Sequence, residues 1–423
     1  VQKELIKTCL LPEIKTSKRQ KLPLYVDYEG SEIMEPSIDC PLQHIFVSHP
    51  HLDHSGFITL LRSDLNIHMG SMSELIYSSN IETKKDRTLE NKLYWKLPKK
   101  DEIEPRLKFS KFHDGMKIEV DKLRIIPCSV DHSVPGSYGF IAEGSSARIA
   151  YTGDFRFHGP AQNLSEKFKE RLREESLDVL IVEGTNMNLG RIDSEEKVER
   201  DAHELIEKSF RLGNKLAIIE VKSSDIDRIN AFVRVAKSLN SIIAITTRVA
   251  YILDKIKRSG LEARLLHGIP KLTNEVMLFT KGKLMKWEKE LLERRKDMGI
   301  LDDKAIISPK ERIVLLDSGR FNVFDTTPPK GSLYIQSISE HMSEEEEYDE
   351  ERFINSLALY GLIVYRLHSS GHATPLDLME FVSDVKPKML IPIHTEHPEA
   401  FYELFKDITN VVIPEKDLPI PIP

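Results

Sequence analysis

This sequence of 423 residues has few cysteines, no long apolar run and no excess of positive over negative charge. The three cysteines, Cys9, Cys40 and Cys128, are far apart and form no CxxC pair, which argues against a disulfide framework or a thiolate metal site. A reducing, cytoplasmic setting is therefore expected. No apolar run approaches the roughly 20 residues that span a bilayer, so we expect no membrane partner.

The net charge of −7 argues, taken alone, against a nucleic-acid partner, but the charges are unevenly distributed. Residues 185–330 carry 28 Lys and Arg against 22 Asp and Glu, whereas the remaining residues carry 32 against 45. One segment is therefore locally basic, and it includes an amphipathic basic helix predicted over Lys281–Arg295. Such a segment is typical either of a nucleic-acid surface or of an ordinary solvated helical surface.

Short β-branched runs alternate with amphipathic helical patterns along the chain, which favours an α/β architecture. Several predicted strands end on His, Asp or Glu, as expected of an open sheet whose loops build a site at one edge. A helix is predicted over Glu195–Arg211, and Thr374-Pro375 predicts the start of another, because Pro is favoured at the first helical position. The predicted strands are 44–48, 123–130, 137–144, 147–154, 178–184, 216–221, 241–247, 312–317, 332–338, 362–368 and 389–394.

The segment SHPHLDH, residues 48–54, places three histidines and an aspartate directly after an apolar strand. In this HxHxDH spacing, His49 and His51 alternate onto one side of an extended turn and can hold one metal ion, while Asp53 and His54 project towards a second. Imidazole nitrogen and carboxylate oxygen, without thiolate, suit zinc, with manganese or iron as alternatives. The competing interpretation is a His-rich surface loop, and it is weakened by further candidates at strand ends. Those candidates are His132, Asp154 and His394.

This ordered set of ligand candidates resembles that of the metallo-β-lactamase superfamily. The resemblance implies an αββα sandwich with two zinc ions, manganese being the alternative metal. A first zinc ion would be held by His49, His51 and His132. The second would be held by Asp53, His54 and His394, with Asp154 bridging the two ions.

The interval between Asp154 and His394 is longer than small hydrolases of this fold require. It contains VEGTN at 182–186, with an acidic residue at a strand end, and SSGHA at 369–373, with a histidine just before a predicted helix. Together with IPIHTE at 391–396, these segments resemble the three extra motifs of the β-CASP nucleases. The sequences of the last two segments most resemble those of ribonuclease J and its archaeal-type relatives.

The β-CASP resemblance implies a metallo-β-lactamase core over residues 1–184 and 366–423, with an α/β β-CASP domain inserted at 185–365. It also implies catalytic roles for Asp53, Glu183 and His372. Glu183 would accept a hydrogen bond from a metal-bound histidine, and His372 would stabilise the scissile phosphate or protonate the leaving oxygen. Ser337 and Ser339 end another predicted strand, where simple capping is an equal alternative. The predicted phosphate and RNA contacts are Ser337, Ser339, Ser370, Gly371, His372 and Ala373.

The function that these motifs imply is a metal-dependent ribonuclease, which would hydrolyse RNA phosphodiester bonds with a zinc-activated hydroxide. It would act as a 5′–3′ exonuclease, an endonuclease or both. A histidine at the position of His394 is similar to the RNA-cleaving members of the family, whereas the DNA-specific members usually carry valine. The alternatives are a small-ester or thioester hydrolase, a DNA nuclease of the same family and a non-catalytic RNA-binding relative. The expected partners are RNA, single-stranded DNA and a second copy of the chain in a homodimer.

Overall fold

The computed structural model describes most of the chain, in two large sheets and two small ones. The described residues are 27–29, 32–34, 42–83, 107–188, 192–261, 268–270, 272, 275–280, 282–302, 310–317, 327–338, 344–415 and 418–423. The strands are β1 (Asp27–Glu29), β2 (Glu32–Met34), β3 (His44–Val47), β4 (Asn66–Gly70), β5 (Lys108–Phe112), β6 (Ile118–Val120), β7 (Leu123–Val130), β8 (Ser137–Glu143), β9 (Arg148–Tyr151), β10 (Val179–Glu183), β11 (Leu216–Val221), β12 (Ile242–Thr246), β13 (Val276–Phe279), β14 (Ile300–Leu301), β15 (Arg312–Asp317), β16 (Leu333–Gln336), β17 (Ile363–Arg366), β18 (Met389–Ile393) and β19 (Asn410–Val411). The helices are α1 (Leu52–Ser55), α2 (Ser71–Thr83), α3 (Gln162–Arg173), α4 (Glu195–Arg211), α5 (Ile226–Ser238), α6 (Thr247–Ser259), α7 (Lys286–Arg294), α8 (Glu344–Leu359), α9 (Pro375–Val385) and α10 (Pro398–Phe405).

A two-layer β-sandwich forms one half of the molecule. Its core sheet has the strand order β19-β18-β10-β9-β8-β7-β6, antiparallel from β6 to β9 and parallel from β9 to β19. The small sheet, β3-β4-β5, is parallel throughout. The two sheets meet through an aromatic cluster of Phe112, Tyr138 and Phe140, against which Phe46 packs.

Helices cover both outer faces of this sandwich. Successive side chains of β8 point to opposite faces of the core sheet. Phe140 packs in the aromatic cluster between the two sheets, whereas Ile141 packs in the cluster under α3, α9 and α10. That helical cluster is built on the fully buried rings of Phe168, Phe381 and Phe401. Helix α2 lies against β4 and β5. The predicted αββα sandwich is therefore confirmed.

The second large sheet is parallel throughout, with the strand order β14-β13-β12-β15-β11-β16-β17. Every residue of its interior strand β11, which lies between β15 and β16, is buried, as a sheet with helices on both faces requires. Alternate residues of β11 enter different clusters: Ala217 and Ile219 pack with α4, α5 and α6, whereas Leu216 and Ile218 pack with Phe353 of α8. The predicted α/β architecture is therefore also present in the part of the chain between β10 and β18.

Most of the predicted strands and helices are present, but several are shorter than predicted. Every predicted strand is found, and α4 begins where it was predicted, after Ser194, whose hydroxyl accepts a hydrogen bond from the Lys197 N–H. Helix α9 begins with Pro375, and the Thr374 side chain caps it. The predicted basic helix over Lys281–Arg295 is shorter, because helix α7 starts only after Met285. Within the described residues, no helix has both the length and the apolar composition needed to cross a bilayer.

Candidate metal centre

The predicted metal ligands come together at one edge of the sandwich. Strands β3, β7, β9 and β18 all lead into a ligand at their carboxyl ends. The loop after β3 enters the short helix α1, which carries the second half of the HxHxDH motif. The ligand positions reached in this way are His49, His51, Asp53, His54, His132, Asp154 and His394.

Three of these histidines form a compact group with converging nitrogens. Nε2 of His49 and Nε2 of His132 each lie 3.1 Å from Nδ1 of His51. Tetrahedral zinc with Zn–N bonds of about 2.0–2.1 Å separates its ligand nitrogens by roughly 3.3 Å, so the spacing fits one shared cation. We call His49, His51 and His132 the three-histidine group.

Burial keeps the three-histidine group in the protonation state that a metal requires. Burial lowers the pKa of His49 to about 3, against the partial opposition of Asp154. Burial also lowers the pKa of His51 and of His132, and their histidine neighbours lower both further. Neutral imidazoles offer a free lone pair to a cation, whereas protonated ones would repel it.

Hydrogen bonds on the far side of the rings fix which nitrogen points inwards. Nδ1 of His132 lies 2.6 Å from the carbonyl oxygen of Gly371, which can only accept, so that nitrogen carries the proton and Nε2 is free. Nδ1 of His49 lies 3.1 Å from the Ser48 hydroxyl. These contacts orient both rings as outer partners of metal ligands do in other proteins.

Asp53, His54, Asp154 and His394 form a second group, here called the carboxylate group. Nε2 of His54 lies 3.1 Å from Oδ2 of Asp154 and 3.3 Å from Oδ2 of Asp53, and Nε2 of His394 lies 3.3 Å from that same Asp53 oxygen. The buried Nε2 of His54 has no hydrogen-bond partner of good geometry among the described residues. A nitrogen that faces two carboxylates without a hydrogen bond is placed as a metal ligand would be.

The electrostatics of the carboxylate group also favour a cation. Burial alone would lower the pKa of His54, but Asp154 and Asp53 raise it to about 10. Asp154 lies between the two groups, since its Oδ2 is also 3.4 Å from Nε2 of His49. The ligand atoms of each group all lie within 4.8 Å of one another, so the side chains present fit a metal in both places.

Thr185, which was not among the predicted site residues, contacts two histidines of the candidate site. Its hydroxyl lies 2.7 Å from Nδ1 of His394 and 3.1 Å from Nδ1 of His372. The same hydroxyl can donate to the carbonyl oxygen of His394 at 3.3 Å, so it accepts the protons of both rings. Nε2 of His394 is thereby left free to face Asp53. The only sequence signal was its position two residues after Glu183.

His372 stands beside both ligand groups and is held by Glu183. The His372 ring centroid lies 5.2 Å from that of His132 and 5.5 Å from that of His394. Its Nδ1 is 3.4 Å from Oε2 of Glu183. Burial would lower the pKa of His372, but Glu183 raises it. The structure thus pairs Glu183 with His372, whereas the predicted partner of Glu183 was one of the metal-bound histidines.

The main chain is unusual where the ligands are attached. His394 adopts a left-handed conformation with φ of 51°, which is uncommon for a residue other than glycine and stores strain of about 1 kcal/mol or more. Gly153, next to Asp154, has φ of 59°, and a Cβ there would lie 2.5 Å from the Tyr138 carbonyl oxygen. Glycine is therefore required immediately before Asp154.

The residues predicted to contact phosphate divide into two sets. Ser370, Gly371, His372 and Ala373 form the loop before α9, where the Ala373 N–H donates to Oε1 of Glu183 and the Ser370 hydroxyl accepts from Asn186. Ser337 is buried elsewhere. Its hydroxyl donates to the Leu367 carbonyl oxygen and accepts from Arg228, each at 2.6 Å, so it serves as an internal link and not as an open phosphate contact. Ser339 lies outside the described residues.

Two domain models match separate segments of the sequence. Residues 34–218 match a beta-lactamase superfamily domain, and residues 362–414 match the Zn-dependent metallo-hydrolase RNA specificity domain. The two matched segments carry all seven ligand candidates and the loop of His372.

Curated relatives at low identity extend over most of the chain. Ribonuclease J of Mycoplasma pneumoniae is 22% identical over 387 residues, which cover 87% of this chain and 59% of that protein. Ribonuclease J 2 of Streptococcus pyogenes is 24% identical over 404 residues, covering 87% of this chain and 63% of that protein. The chain therefore spans about three-fifths of the length of these relatives.

A solved structure shares the fold. The crystal structure of a protein of unknown function from Enterococcus faecalis V583 superimposes with a TM-score of 0.70 at 19% identity, covering 98% of this chain and 88% of that one. The sandwich, the two candidate ligand groups and the matched domain models all indicate the same fold. The chain therefore has the metallo-β-lactamase fold, and its sequence is similar to that of ribonuclease J proteins over most of its length.

Proposed function

We propose that this protein is a metal-dependent ribonuclease that holds two zinc ions and hydrolyses RNA phosphodiester bonds. In this proposal, residues 1–184 and 366–423 form the metallo-β-lactamase core, and residues 185–365, which include the parallel sheet, form the inserted β-CASP domain. The matched RNA specificity domain and the relatives named ribonuclease J support RNA as the substrate.

The observation that carries the proposal is the placement of His372 beside two complete ligand groups. A metallo-hydrolase of small esters has no need of an additional histidine held by a buried glutamate. His372 is 15% exposed at its side chain, so one edge remains open to a substrate. This combination suits a substrate whose phosphate and leaving oxygen both need a partner.

Two bound zinc ions would supply Lewis acidity, which lowers the pKa of a water molecule and offsets the negative charge that develops on the phosphate. The three-histidine group and the carboxylate group would hold them, with Asp154 between. Thr185 and the Gly371 carbonyl would keep the ligand rings in their binding tautomers. Glu183, whose carboxylate lies beside Nδ1 of His372, would favour the doubly protonated ring, so that the Nε2–H can donate to a phosphate oxygen or to the leaving oxygen.

The other partners and the setting are part of the same proposal. RNA would be the main ligand, with single-stranded DNA as a weaker substrate of similar backbone charge. We also propose a homodimer in a reducing, cytoplasmic environment, the latter because Cys128 is a buried free thiol without a pairing partner in the described residues.

The test is a digestion of one RNA sequence labelled at either end. It compares 5′-monophosphate with 5′-triphosphate forms, and includes single-stranded DNA of the same sequence and a small thioester. The proposal predicts RNA cleavage to products with a 5′-phosphate, and loss of that cleavage in the His51→Ala/Asp53→Ala variant. Preferred cleavage of DNA would indicate a DNA nuclease, and turnover of the thioester alone would indicate a small-ester hydrolase.

A further inference from the structure

A buried ion cluster lies behind the loop of His372. Arg228 on α5 makes a two-pronged contact with Glu195 on α4, with Nε to Oε2 and Nη2 to Oε1 both at 2.8 Å. Arg156, two residues after the predicted ligand Asp154, also donates to this carboxylate, with Nη1 to Oε1 at 2.9 Å. Both guanidinium groups are fully buried.

The cluster is ionised in spite of its burial. Burial would raise the pKa of Glu195, but Arg228 and Arg156 hold it at about 2. The pKa of Arg228 is raised by Glu195, although burial opposes this. Because desolvation of buried charges cancels much of their attraction, such a cluster is a poor source of net stability. Its geometry must therefore be explained by what else it contacts.

Both arginines also donate to main-chain carbonyls just before His372. Nη2 of Arg228 lies 3.3 Å from the carbonyl oxygen of Ser369, and Nη1 of Arg156 lies 3.2 Å from that of Ser370. The next carbonyl, that of Gly371, accepts from His132. Three consecutive peptide groups ahead of His372 are thus fixed by side chains from outside the loop.

Arg228 anchors the start of the loop as well. Its Nη1 donates to the Ser337 hydroxyl at 2.6 Å, and that hydroxyl donates to the Leu367 carbonyl oxygen. The loop from Leu367 to His372 is therefore attached at several points to Arg228 on α5, which lies in a different part of the chain and is itself held by Glu195 on α4. A planar guanidinium can make these contacts together, whereas a single ammonium cannot.

We propose that Arg228, with Glu195 and Arg156, is a positioning residue that sets the loop of His372 from the proposed inserted domain. The consequence for RNA cleavage rests on the proposed function, but the effect on the loop does not. When this attachment is lost, His372 departs from its place beside the ligand groups while the metal ligands remain. A misplacement of about 1 Å is enough to cost on the order of 100-fold in rate.

The chain offers a matched control on the same two helices. Arg234 on α5 also makes a two-pronged contact with a glutamate of α4, Glu199, at 2.8 Å and 2.6 Å. This pair is more exposed, and Arg234 has no hydrogen bond to the loop among the described contacts. If Arg228 merely joins α4 to α5, the Arg228→Met and Arg234→Met variants should behave alike.

Hydrogen–deuterium exchange of the full-length, metal-loaded protein tests the attachment without using activity. In Arg228→Met, peptides over 367–374 should exchange several-fold faster than in the wild type, and in Arg234→Met they should not. Arg228→Lys covers the case in which the methionine variant fails to fold, because it keeps the charge but loses the planar fork. Wild-type protection of 367–374 in Arg228→Lys, or equal acceleration in Arg228→Met and Arg234→Met, would overturn the proposal.

Steady-state kinetics on RNA separates this proposal from the proposed function. Arg228→Lys should lower kcat about 10–100-fold with a KM within about threefold of the wild type and an unchanged metal content. A wild-type protein without RNA cleavage would contradict the proposed function alone, because the exchange result stands by itself. An active wild type with unchanged kcat in Arg228→Lys would overturn the positioning role.

Discussion

The Thr185 hydroxyl lies 2.7 Å from Nδ1 of His394 and 3.1 Å from Nδ1 of His372, so one side chain orients a candidate metal ligand and the histidine beside it. A hydroxyl that donates to the His394 carbonyl oxygen can accept from both rings at once. This contact also supports the left-handed main chain at His394. Thr185 therefore couples the carboxylate group to the residue proposed to act on the phosphate.

Thr185→Val should weaken metal binding in the carboxylate group. The substitution keeps the shape of the side chain but removes the acceptor for both imidazole protons, and losses of 10–100-fold in metal affinity are usual for such partners, so we expect about that range. Titration against a chelating dye measures the affinity. Thr185→Ser, which restores the hydroxyl, should bind metal within about threefold of the wild type. Equal affinity for the valine variant and the wild type would contradict this role.

Gly371→Ala should disturb the three-histidine group. A Cβ at this position would lie 2.8 Å from Cε1 and 2.9 Å from Nδ1 of His132, so the ligand ring must move. We expect loss of about one metal ion per chain, since one of three ligands is displaced. Elemental analysis measures the content. Gly144→Ala is the control, because its Cβ would meet only a Leu123 methyl at 3.2 Å and the Ala147 carbonyl oxygen at 3.6 Å. A full metal complement in Gly371→Ala would show that His132 is not a required ligand.

His372→Ala should separate chemistry from metal binding. If His372 acts on the phosphate or the leaving oxygen, RNA cleavage should fall by about 10²–10⁴-fold while both metals stay bound. A small activated phosphodiester, whose leaving group needs no proton, should lose much less. Equal losses on both substrates would exclude a role as leaving-group acid. Loss of a metal ion would instead identify His372 as a ligand, since its nitrogen lies within 4.8 Å of the ligand atoms of His132 and Asp154.

The free energy of unfolding should fall in mild acid because of His68, which is remote from the metal centre. Burial, and then the neighbouring His44, lower the pKa of His68 from 6.5 to about 4. Between these values the unfolded chain binds a proton that the folded chain does not. The free energy of unfolding therefore keeps its full value, as far as His68 is concerned, above about pH 6.5, and it decreases as the pH falls towards 4. His68→Phe, which keeps the stack on Phe46, should lose less stability between pH 7.5 and pH 5 in urea unfolding. An identical loss in both proteins would contradict this account.

The strands and the clustering of the candidate metal ligands could be predicted from the sequence because their signals are local. β11 is a continuous apolar run, and the HxHxDH motif gathers four ligands in six residues. Arg156, Glu195 and Arg228 could not be predicted, because nothing near each of them along the chain indicates an ion-pair partner 33 or 39 positions away. The role of Ser337, for which phosphate contact and capping were equal alternatives, could not be predicted for the same reason, since its place at a strand end does not reveal that its hydroxyl accepts from Arg228.

Metal reconstitution of RNA cleavage tests the central claim most directly. Chelated protein should have no activity on RNA, and activity should return in proportion to added zinc or manganese up to about two equivalents per chain, since both ligand groups must be filled. The His51→Ala/Asp53→Ala variant, lacking one ligand from each group, should recover nothing under the same titration. RNA cleavage that survives in the chelated protein, or in this variant at the wild-type rate, would contradict the account.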